Sequence, residues 1–323
     1  MARGNSFRCR IRARKPYWDE GMETARRECV MRLEEAAALI EDGSTIGVGG
    51  LGIRGHPMAL LYQLARQDAR ELTMLGITNG NDADLLAGAG CLRRLETAAV
   101  SLEEFGLAPN FRRAVEGGRI TLGEYTETTM MDRLLAASMG LSFFPTRVLR
   151  GSDVPKVNLD IREIMCPYTG EMYHVVPPAR PQWAVLHAPA ADAYGNVLYP
   201  HADALVAFDR LLSRAAEQII VTVEKIVPPE AVEAASHEVL VPAFKTAAVV
   251  EVPFGAHPCA FGRWYNRDVE HLRYYVGAGR TQEGFQRYLD QFILGVNRHA
   301  DYLQQVGGFS HLMQLRLDGM VGL

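Results

Sequence analysis

The sequence lacks any apolar stretch of the roughly 18 residues that a membrane-spanning helix needs, which argues against an integral membrane protein. Cysteine is scarce as well: the five cysteines are scattered and form no C-x-x-C pair, so neither a zinc ribbon nor a redox dithiol is indicated. Positive charge is not in excess, because 34 Lys and Arg residues stand against 38 Asp and Glu residues. The resulting net charge of -4 argues against a nucleic-acid binder. These absences predict a cytoplasmic protein with reduced cysteines.

Patterns of several common catalytic sites are missing too. The nine histidines show neither H-x-x-x-H nor H-E-x-x-H spacing, so we expect no metal ion. No G-x-S-x-G segment occurs, which argues against a serine hydrolase. No glycine loop continues into G-K-[ST], which excludes a Walker nucleotide site. We expect no tightly bound cofactor either.

The first residues form a basic leader. Six positive charges lie within the first fifteen residues with no acidic residue among them, and no apolar segment of a secretory signal follows. We interpret residues 1–18 as a disordered leader or the product of a wrongly chosen start codon; a transit peptide and a nucleic-acid arm are the alternatives. Residues 19–323 then form the folded domain.

Strand and helix patterns alternate through the first half of that domain. Short apolar runs at 45–48, 72–78, 95–100, 120–123 and 142–149 predict strands, and amphipathic runs at 20–40, 58–65, 82–87, 110–116 and 129–139 predict helices. Such alternation with short connections predicts an α/β fold with an open, mainly parallel or mixed sheet flanked by helices.

The second half begins with a proline-rich stretch, 151–181, which we interpret as a long connection or insertion. Its Met165, Tyr168, Met172 and Tyr173 are expected to pack. Further strands are predicted at 183–188, 197–199, 218–224 and 246–252, and helices at 269–276, 282–296 and 299–306. The C-terminal region is therefore expected to be helical.

A glycine-rich loop between the strand at 45–48 and a helix near Pro57 is the most informative segment. It contains Gly49, Gly50, Gly52, Arg54 and Gly55. Glycine lets a backbone adopt positive φ or approach a ligand without a Cβ clash, and N–H groups before a helix N-terminus can bind phosphate or an oxyanion. The loop is thus a candidate CoA or oxyanion site with Arg54 near the phosphates; a tight turn with a solvated Arg54 is the alternative.

This segment resembles the first signature of the family I CoA-transferases, an acidic residue and Gly, three apolar residues, Gly-Gly-Phe, then Gly-x-Pro. Asp42-Gly43, Gly49-Gly50 and Gly55-His56-Pro57 match it, whereas Gly47 replaces an apolar residue and Leu51 the Phe. Similarity to A-type subunits, above all of the glutaconate type, continues through 111–113, 117–121, 140–145, 192–196, 253–258 and 281–285. The resemblance implies the fold of that family and a coenzyme A thioester as substrate.

The resemblance also implies a partner. In this family the attacking carboxylate belongs to a Ser-Glu-Asn-Gly motif on a B-type subunit, and it forms a mixed anhydride and then an enzyme–CoA thioester. No such motif occurs here; Ser101-Leu-Glu-Glu-Phe105 is the nearest string and lacks the Asn-Gly. We therefore expect a hetero-oligomer with a B-type subunit. Its first hypothetical function is CoA transfer between a small carboxylic acid and an acyl-CoA.

A second function is indicated by Glu127, which precedes the predicted helix at 129–139 where transferase A chains usually carry Gln. A glutamate at this point resembles a subgroup that opens steroid rings by hydrolysing a carbon–carbon bond in CoA thioesters. Glu127 is therefore a candidate catalytic residue of a hydrolase or related lyase. The alternative is that Glu127 only caps the helix.

Candidate substrate-binding residues follow the second predicted strand and occur near the last one. Asn79, Gly80 and Asn81 could line an acyl pocket; the alternative is a strand-to-helix turn capped by Asn81 or Asp82. His257 could contact substrate or CoA, or be structural. A third class of function is a non-catalytic A-type scaffold that binds CoA or a sugar phosphate, since the resemblance is to a fold whose relatives bind phosphorylated ligands.

Overall fold

The computed structural model describes residues 27–200 and 206–321, and the predicted leader lies outside this part of the chain. The strands are β1 Thr45–Val48, β2 Leu72–Leu75, β3 Thr78–Asn79, β4 Leu92–Thr97, β5 Ala99–Val100, β6 Thr121–Glu124, β7 Phe144–Thr146, β8 Arg162–Met165, β9 Met172–Val176, β10 Trp183–Ala191, β11 Val197–Leu198, β12 Gln218–Ile226, β13 Val239–Val241 and β14 Thr246–Glu251. The helices are α1 Leu33–Ala37, α2 Met58–Arg66, α3 Asn81–Gly88, α4 Pro109–Glu116, α5 Glu127–Ser138, α6 Val154–Val157, α7 Val206–Ala215, α8 Pro229–Ala234, α9 Val269–Gly279, α10 Gln282–Leu289, α11 His299–Gln305 and α12 Gly308–Val321.

Seven parallel strands form the central sheet in the order β14–β12–β10–β1–β2–β4–β6. The two halves of the chain meet where β1 pairs with β10, with Ile46 opposite Trp183 and Val48 opposite Val185. The short strands β11 and β13 extend the sheet antiparallel from the end of β10. The predicted mainly parallel sheet is confirmed.

Helices cover both faces of this sheet. All four residues of β2 and most of β10 are buried, as parallel strands between two helical layers should be. One group of helices includes α5 packed on α7, and another runs from α1 and α2 through α3 and α4 to α9 and α10. Among the described residues, no helix is both long and apolar enough to cross a membrane.

The predicted helix at 20–40 is wrong over its described part before residue 33. Residues 27–32 are extended, and Val30 bridges Val249 of β14 in parallel. Met31 N–H donates to Val249 O and Val249 N–H donates to Cys29 O, each at 2.9 Å. Cys29 is buried between exposed Glu28 and exposed Val30, which is the two-residue period of a strand. Backbone pairing at the sheet edge thus overrides the helical propensity of this stretch.

The stretch around the proline-rich insertion also differs from the prediction. The strand expected at 142–149 shrinks to β7, which pairs with β9 in a separate antiparallel sheet β7–β9–β8. The expected packing of Met165, Tyr168 and Met172 is wrong, because their exposures are 62%, 95% and 45%. Only Tyr173 is half-buried, with the Arg147 guanidinium 4.9 Å from its ring centre.

The helical C-terminal region is confirmed, with changes in detail. The helix predicted at 282–296 is α10 followed by a π-helical turn, Asp290–Leu294. The prediction missed α7 and α8, the strand β13 and the last helix α12.

Candidate functional site

The carboxyl ends of the parallel strands bring three of the predicted segments together. The glycine loop follows β1, Thr78 and Asn79 follow β2, and Glu127 follows β6. β1 pairs with β2, and β4 lies between β2 and β6 in the same parallel sheet, so the ends of these strands lie along one edge, where α/β proteins bind their ligands.

The glycine loop folds tightly around His56. Gly50, Gly52 and Gly55 have φ values of 93°, 63° and 71°, which only glycine adopts readily. The His56 ring is fully buried, with Nδ1 2.7 Å from Gly49 O and Nε2 2.8 Å from Gly52 O. The Asp82 carboxylate lies 3.3 Å from Nδ1 as well, so loop carbonyl groups and Asp82 together fix the orientation of the ring. His56 is thus the centre around which the loop is built.

The main-chain amides of the four loop glycines all donate to acceptors within the chain. Gly49 N–H donates to Val185 O at 2.9 Å, and Gly55 N–H donates to Ala260 O at 2.9 Å. Gly50 N–H donates to Asp209 Oδ1 at 3.1 Å, and Gly52 N–H donates to Thr78 O at 2.7 Å. Buried amides need such partners, so these four donors are committed to holding the loop in place. The loop can contribute to a site through its shape, since the glycines leave its surface without side chains.

Arg54 lies at the rim of the loop and is paired. Its Nη2 is 3.2 Å from Oε2 of Glu103, which also accepts from Arg267 Nη1 at 3.2 Å. Glu103 itself has φ 52°, an uncommon value for a residue with a side chain. Its carboxylate occupies the space that a Cβ at Gly52 would need. The φ of 63° therefore favours glycine at position 52, and a Cβ there would also displace the Glu103 carboxylate.

Glu127 is the first residue of α5, and the capping role belongs to its neighbour. Thr126 is the N-cap: its hydroxyl accepts from Thr129 N–H at 3.1 Å, and Thr126 N–H donates to Thr129 Oγ1 at 2.8 Å. The Glu127 side chain is exposed, and its Oε1 accepts a hydrogen bond of 2.7 Å from Thr78 Oγ1. The helix dipole stabilises negative charge at this point. A carboxylate is thus presented at the sheet edge beside the glycine loop.

Asn79, Gly80 and Asn81 form the turn beside the glycine loop. The Asp82 carboxylate accepts from Gly80 N–H at 2.6 Å and from Asn79 Nδ2 at 2.7 Å. Asn81 Oδ1 accepts from Cys259 Sγ at 3.0 Å. Asn79 and Asn81 are buried with 1% and 2% exposure, so their side chains support the turn and do not line an open pocket. This is the strand-to-helix turn, with Asp82 as its organising residue.

His257 lies in the interior among the C-terminal helices. Its Nδ1 is 2.6 Å from Tyr302 OH and its Nε2 is 3.0 Å from Asp268 Oδ2. His311 Nε2 donates to the same Asp268 oxygen at 2.6 Å. Burial lowers the pKa of His257. Both ring nitrogens of His257 are thus engaged by protein groups, and its contact with substrate or CoA stays a prediction.

Sequence analysis did not identify two residues that contribute to the candidate site. Asp209 holds Gly50 from α7, a helix that no sequence pattern had indicated. Thr78 ends the predicted strand at 72–78 and begins the segment 78–82 considered as an acyl-pocket lining, but only Asn79, Gly80 and Asn81 of that segment were named as site residues. Among the described residues, no group of three His, Cys, Asp or Glu side chains could hold a metal ion.

The fold and this edge define the chain as an α/β protein whose candidate site lies at the carboxyl ends of a parallel sheet, between a glycine loop and a carboxylate. The chain belongs to the coenzyme A transferase family, whose family model matches residues 30–252. Its structure is similar to that of glutaconate coenzyme A-transferase from Acidaminococcus fermentans, with a TM-score of 0.83, 27% identity, and coverage of 89% of this chain and 95% of that one.

Relatives of this chain carry different activities. It is 31% identical to the A-type subunit of 3-oxoadipate CoA-transferase from Pseudomonas knackmussii, over 86% of this chain and 98% of the relative. It is 32% identical to the cholesterol ring-cleaving hydrolase IpdA subunit of Mycobacterium tuberculosis, over 86% of this chain and 96% of the relative. An uncharacterized protein of Archaeoglobus fulgidus is 38% identical over 88% of this chain, which spans only 64% of that relative's length.

Proposed function

We propose that this chain is the A-type component of a two-subunit enzyme that acts on acyl-CoA thioesters, with CoA transfer as its first candidate reaction. The observation that carries the proposal is that the glycine loop and Glu127 meet, through Thr78, at one exposed strand edge. The sequence contains no Ser-Glu-Asn-Gly motif to supply the attacking carboxylate. A B-type subunit that closes over this edge would supply it. The relatives named as subunits of larger enzymes support such a partner.

In the proposed transfer, the B-subunit glutamate adds to the thioester carbonyl carbon, and the carbon–sulfur bond breaks. This step releases CoA thiolate and leaves a mixed anhydride. The thiolate then attacks the glutamyl carbonyl, which forms the enzyme–CoA thioester and frees the donor acid as its carboxylate. An acceptor carboxylate reverses the two steps and leaves as the new acyl-CoA. This chain contributes the surface that holds the thioester beside the loop.

Co-expression with the B-type subunit tests this proposal. We expect the two chains to co-purify and to transfer CoA from succinyl-CoA or glutaryl-CoA to acetate, with formation of acetyl-CoA measured by chromatography. The chain alone should not catalyse this transfer. A complex that binds CoA in calorimetry but turns over no thioester would instead point to the scaffold function. A chain that stays alone and ignores CoA contradicts the proposal.

The second candidate is hydrolysis of a carbon–carbon bond in a ring-bearing acyl-CoA, and a specific observation favours it. Thr126 caps α5, so Glu127 is not needed for capping, and its exposed carboxylate stands beside the glycine loop. A carboxylate in this place can act as a general base once a partner subunit excludes water. A glutamine could not.

The proposed hydrolysis uses one proton twice. Glu127 takes a proton from water as the water oxygen adds to a ring ketone carbon. The bond from that carbon to the α-carbon of the thioester then breaks, and its electron pair becomes the thioester enolate. The proton is delivered to the α-carbon, and the product is a ring-opened acid that is still a CoA thioester.

Glu127→Gln separates the two candidates. For hydrolysis of 2-oxocyclohexane-1-carboxyl-CoA by the assembled enzyme, we expect kcat to fall by about 10² to 10⁴-fold. CoA transfer through the partner's glutamate should change little. Glu124→Gln is the matched control, since Glu124 is an exposed glutamate on the neighbouring strand β6. Equal hydrolysis rates for the Glu127 variant and the wild type would remove Glu127 from the chemistry.

A further inference from the structure

We infer that Thr78 is a positioning residue that holds the Glu127 carboxylate at a fixed position relative to the glycine loop. This inference rests on the second candidate function, in which Glu127 takes part in the reaction. Thr78 uses two different groups for two different partners: its main-chain oxygen accepts from Gly52 N–H, and its hydroxyl donates to Glu127 Oε1, each at 2.7 Å. It is therefore the residue through which the two halves of the candidate site touch.

The main chain of Thr78 is fixed independently of Glu127. Thr78 and Asn79 pair in parallel with Ala99 and Val100 of β5. On either side, Ala98 N–H donates to Ile77 O and Ser101 N–H donates to Asn79 O, each at 2.9 Å. The hydroxyl group thus extends from a backbone that strand pairing holds in place.

The side chain of Thr78 is also restrained. A β-branched residue has few allowed χ1 rotamers, so the direction of its hydroxyl follows from the backbone. A glutamate at an exposed helix N-terminus has much more rotamer freedom, and ordering it carries an entropic cost. One charge-assisted hydrogen bond from a stiff donor selects a single orientation of the carboxylate. Oε1 is then held by Thr78, and Oε2 is left for water or for the α-carbon proton.

Fixing the carboxylate matters because the loop defines where the thioester can lie. Gly52 is joined to Thr78 by its N–H group, and His56 holds Gly52 O from the other side at 2.8 Å. A displacement of Glu127 would therefore change its distance to any substrate that rests on the loop. Small misplacements of a reacting group lower the rate steeply, since reaction requires near-contact geometry.

The test is a mutant cycle in the assembled A–B enzyme, with hydrolysis of 2-oxocyclohexane-1-carboxyl-CoA as the assay. Thr78→Val keeps the shape and removes the hydroxyl, and we expect kcat to fall by about ten- to hundredfold with little change in KM, as for loss of a hydrogen bond to a charged group. Thr78→Ser should recover most of the rate. In a Glu127→Ala background, Thr78→Val should have no further effect. Thr121→Val, at an exposed threonine of β6, is the control.

A second readout needs no substrate. In crystals, the Glu127 carboxylate of the wild-type chain should lie in hydrogen-bond contact with residue 78, and in Thr78→Val it should leave that position. An unmoved carboxylate in that variant, or an equal rate loss in the Glu127→Ala background, would overturn the positioning role. If instead Glu127→Gln retains full hydrolysis or the assembled enzyme does not hydrolyse this thioester, the second candidate function fails, whatever the crystals show.

Discussion

Gly80 packs against the glycine loop, and its replacement by alanine should perturb the loop without removing any functional group. A Cβ at Gly80 would overlap the Gly52 carbonyl oxygen, and it would lie 2.9 Å from Gly52 C and 3.2 Å from Ile53 Cγ2. The first two of these neighbours are backbone atoms, so no side chain can rotate away to relieve both contacts. The loop itself must move.

The size of the effect follows from the contacts that hold the loop. Overpacking by one methyl group in a rigid site costs about 1–3 kcal/mol. Moving Gly52 also stretches its hydrogen bonds to Thr78 and His56, so we expect the upper part of that range. For a chain of this length, the melting temperature should fall by roughly 2–10 °C. We expect kcat/KM to fall with it, because the hydrogen bond from Gly52 N–H to Thr78 O that joins the loop to Thr78 is weakened.

Thermal unfolding and steady-state kinetics of the assembled enzyme provide the assay. Gly277→Ala is the matched control: Gly277 is exposed in α9, and a Cβ there meets nothing within 4 Å. In a helix this change should raise stability by about 0.5–1 kcal/mol, so the two alanine variants should differ in sign. If Gly80→Ala melts with the wild type and keeps its kcat/KM, the loop is not packed as described.

Two further predictions concern stability. Arg133 Nη1 lies 2.8 Å from Glu96 Oε2 in the interior, so Arg133→Met should lower the unfolding free energy by about 3 kcal/mol in urea titrations. The control is Arg112→Met, at an exposed i,i+4 pair with Glu116, which should change the unfolding free energy by no more than about 0.5 kcal/mol. Equal effects of the two substitutions would contradict a stabilising role of the buried ion pair. Burial lowers the pKa of His271 to about 3, so the unfolded chain binds more protons between that value and the ordinary histidine pKa, and stability should be lost as pH falls through this window. By about pH 5 the loss from this residue should reach about 2 kcal/mol, and His271→Gln should remove it; an unchanged pH dependence in that variant would refute the attribution.

The sheet could be predicted from sequence because its strands have a recognisable local pattern. Buried parallel strands are short, apolar and separated by helical patterns, so β1 was located to the residue and β10, β12 and β14 within a few positions. Tertiary pairing was not visible in the same way. Residues 27–32 have helical composition yet join the edge of β14, and β7 joins β9 instead of the main sheet.

The location of the candidate site could be predicted from the sequence, but the contacts of its residues could not. Gly50, Gly52 and Gly55 do adopt positive φ, as a glycine-rich turn requires. Where their amides point depends on acceptors far away in sequence, such as Asp209 and Ala260, and local pattern carries no signal for these. The same holds for His257, whose partners Asp268 and Tyr302 lie on other elements. Burial by distant chain segments decided both outcomes.

The N-cap of α5 is Thr126 and not Glu127, and this has a consequence for substitutions at position 127. Thr126 caps the start of α5, so the neighbouring Glu127 side chain is not needed as the N-cap. In the proposed hydrolase, an exchange of Glu127 for glutamine would therefore remove the proton acceptor and leave the N-cap of α5 in place.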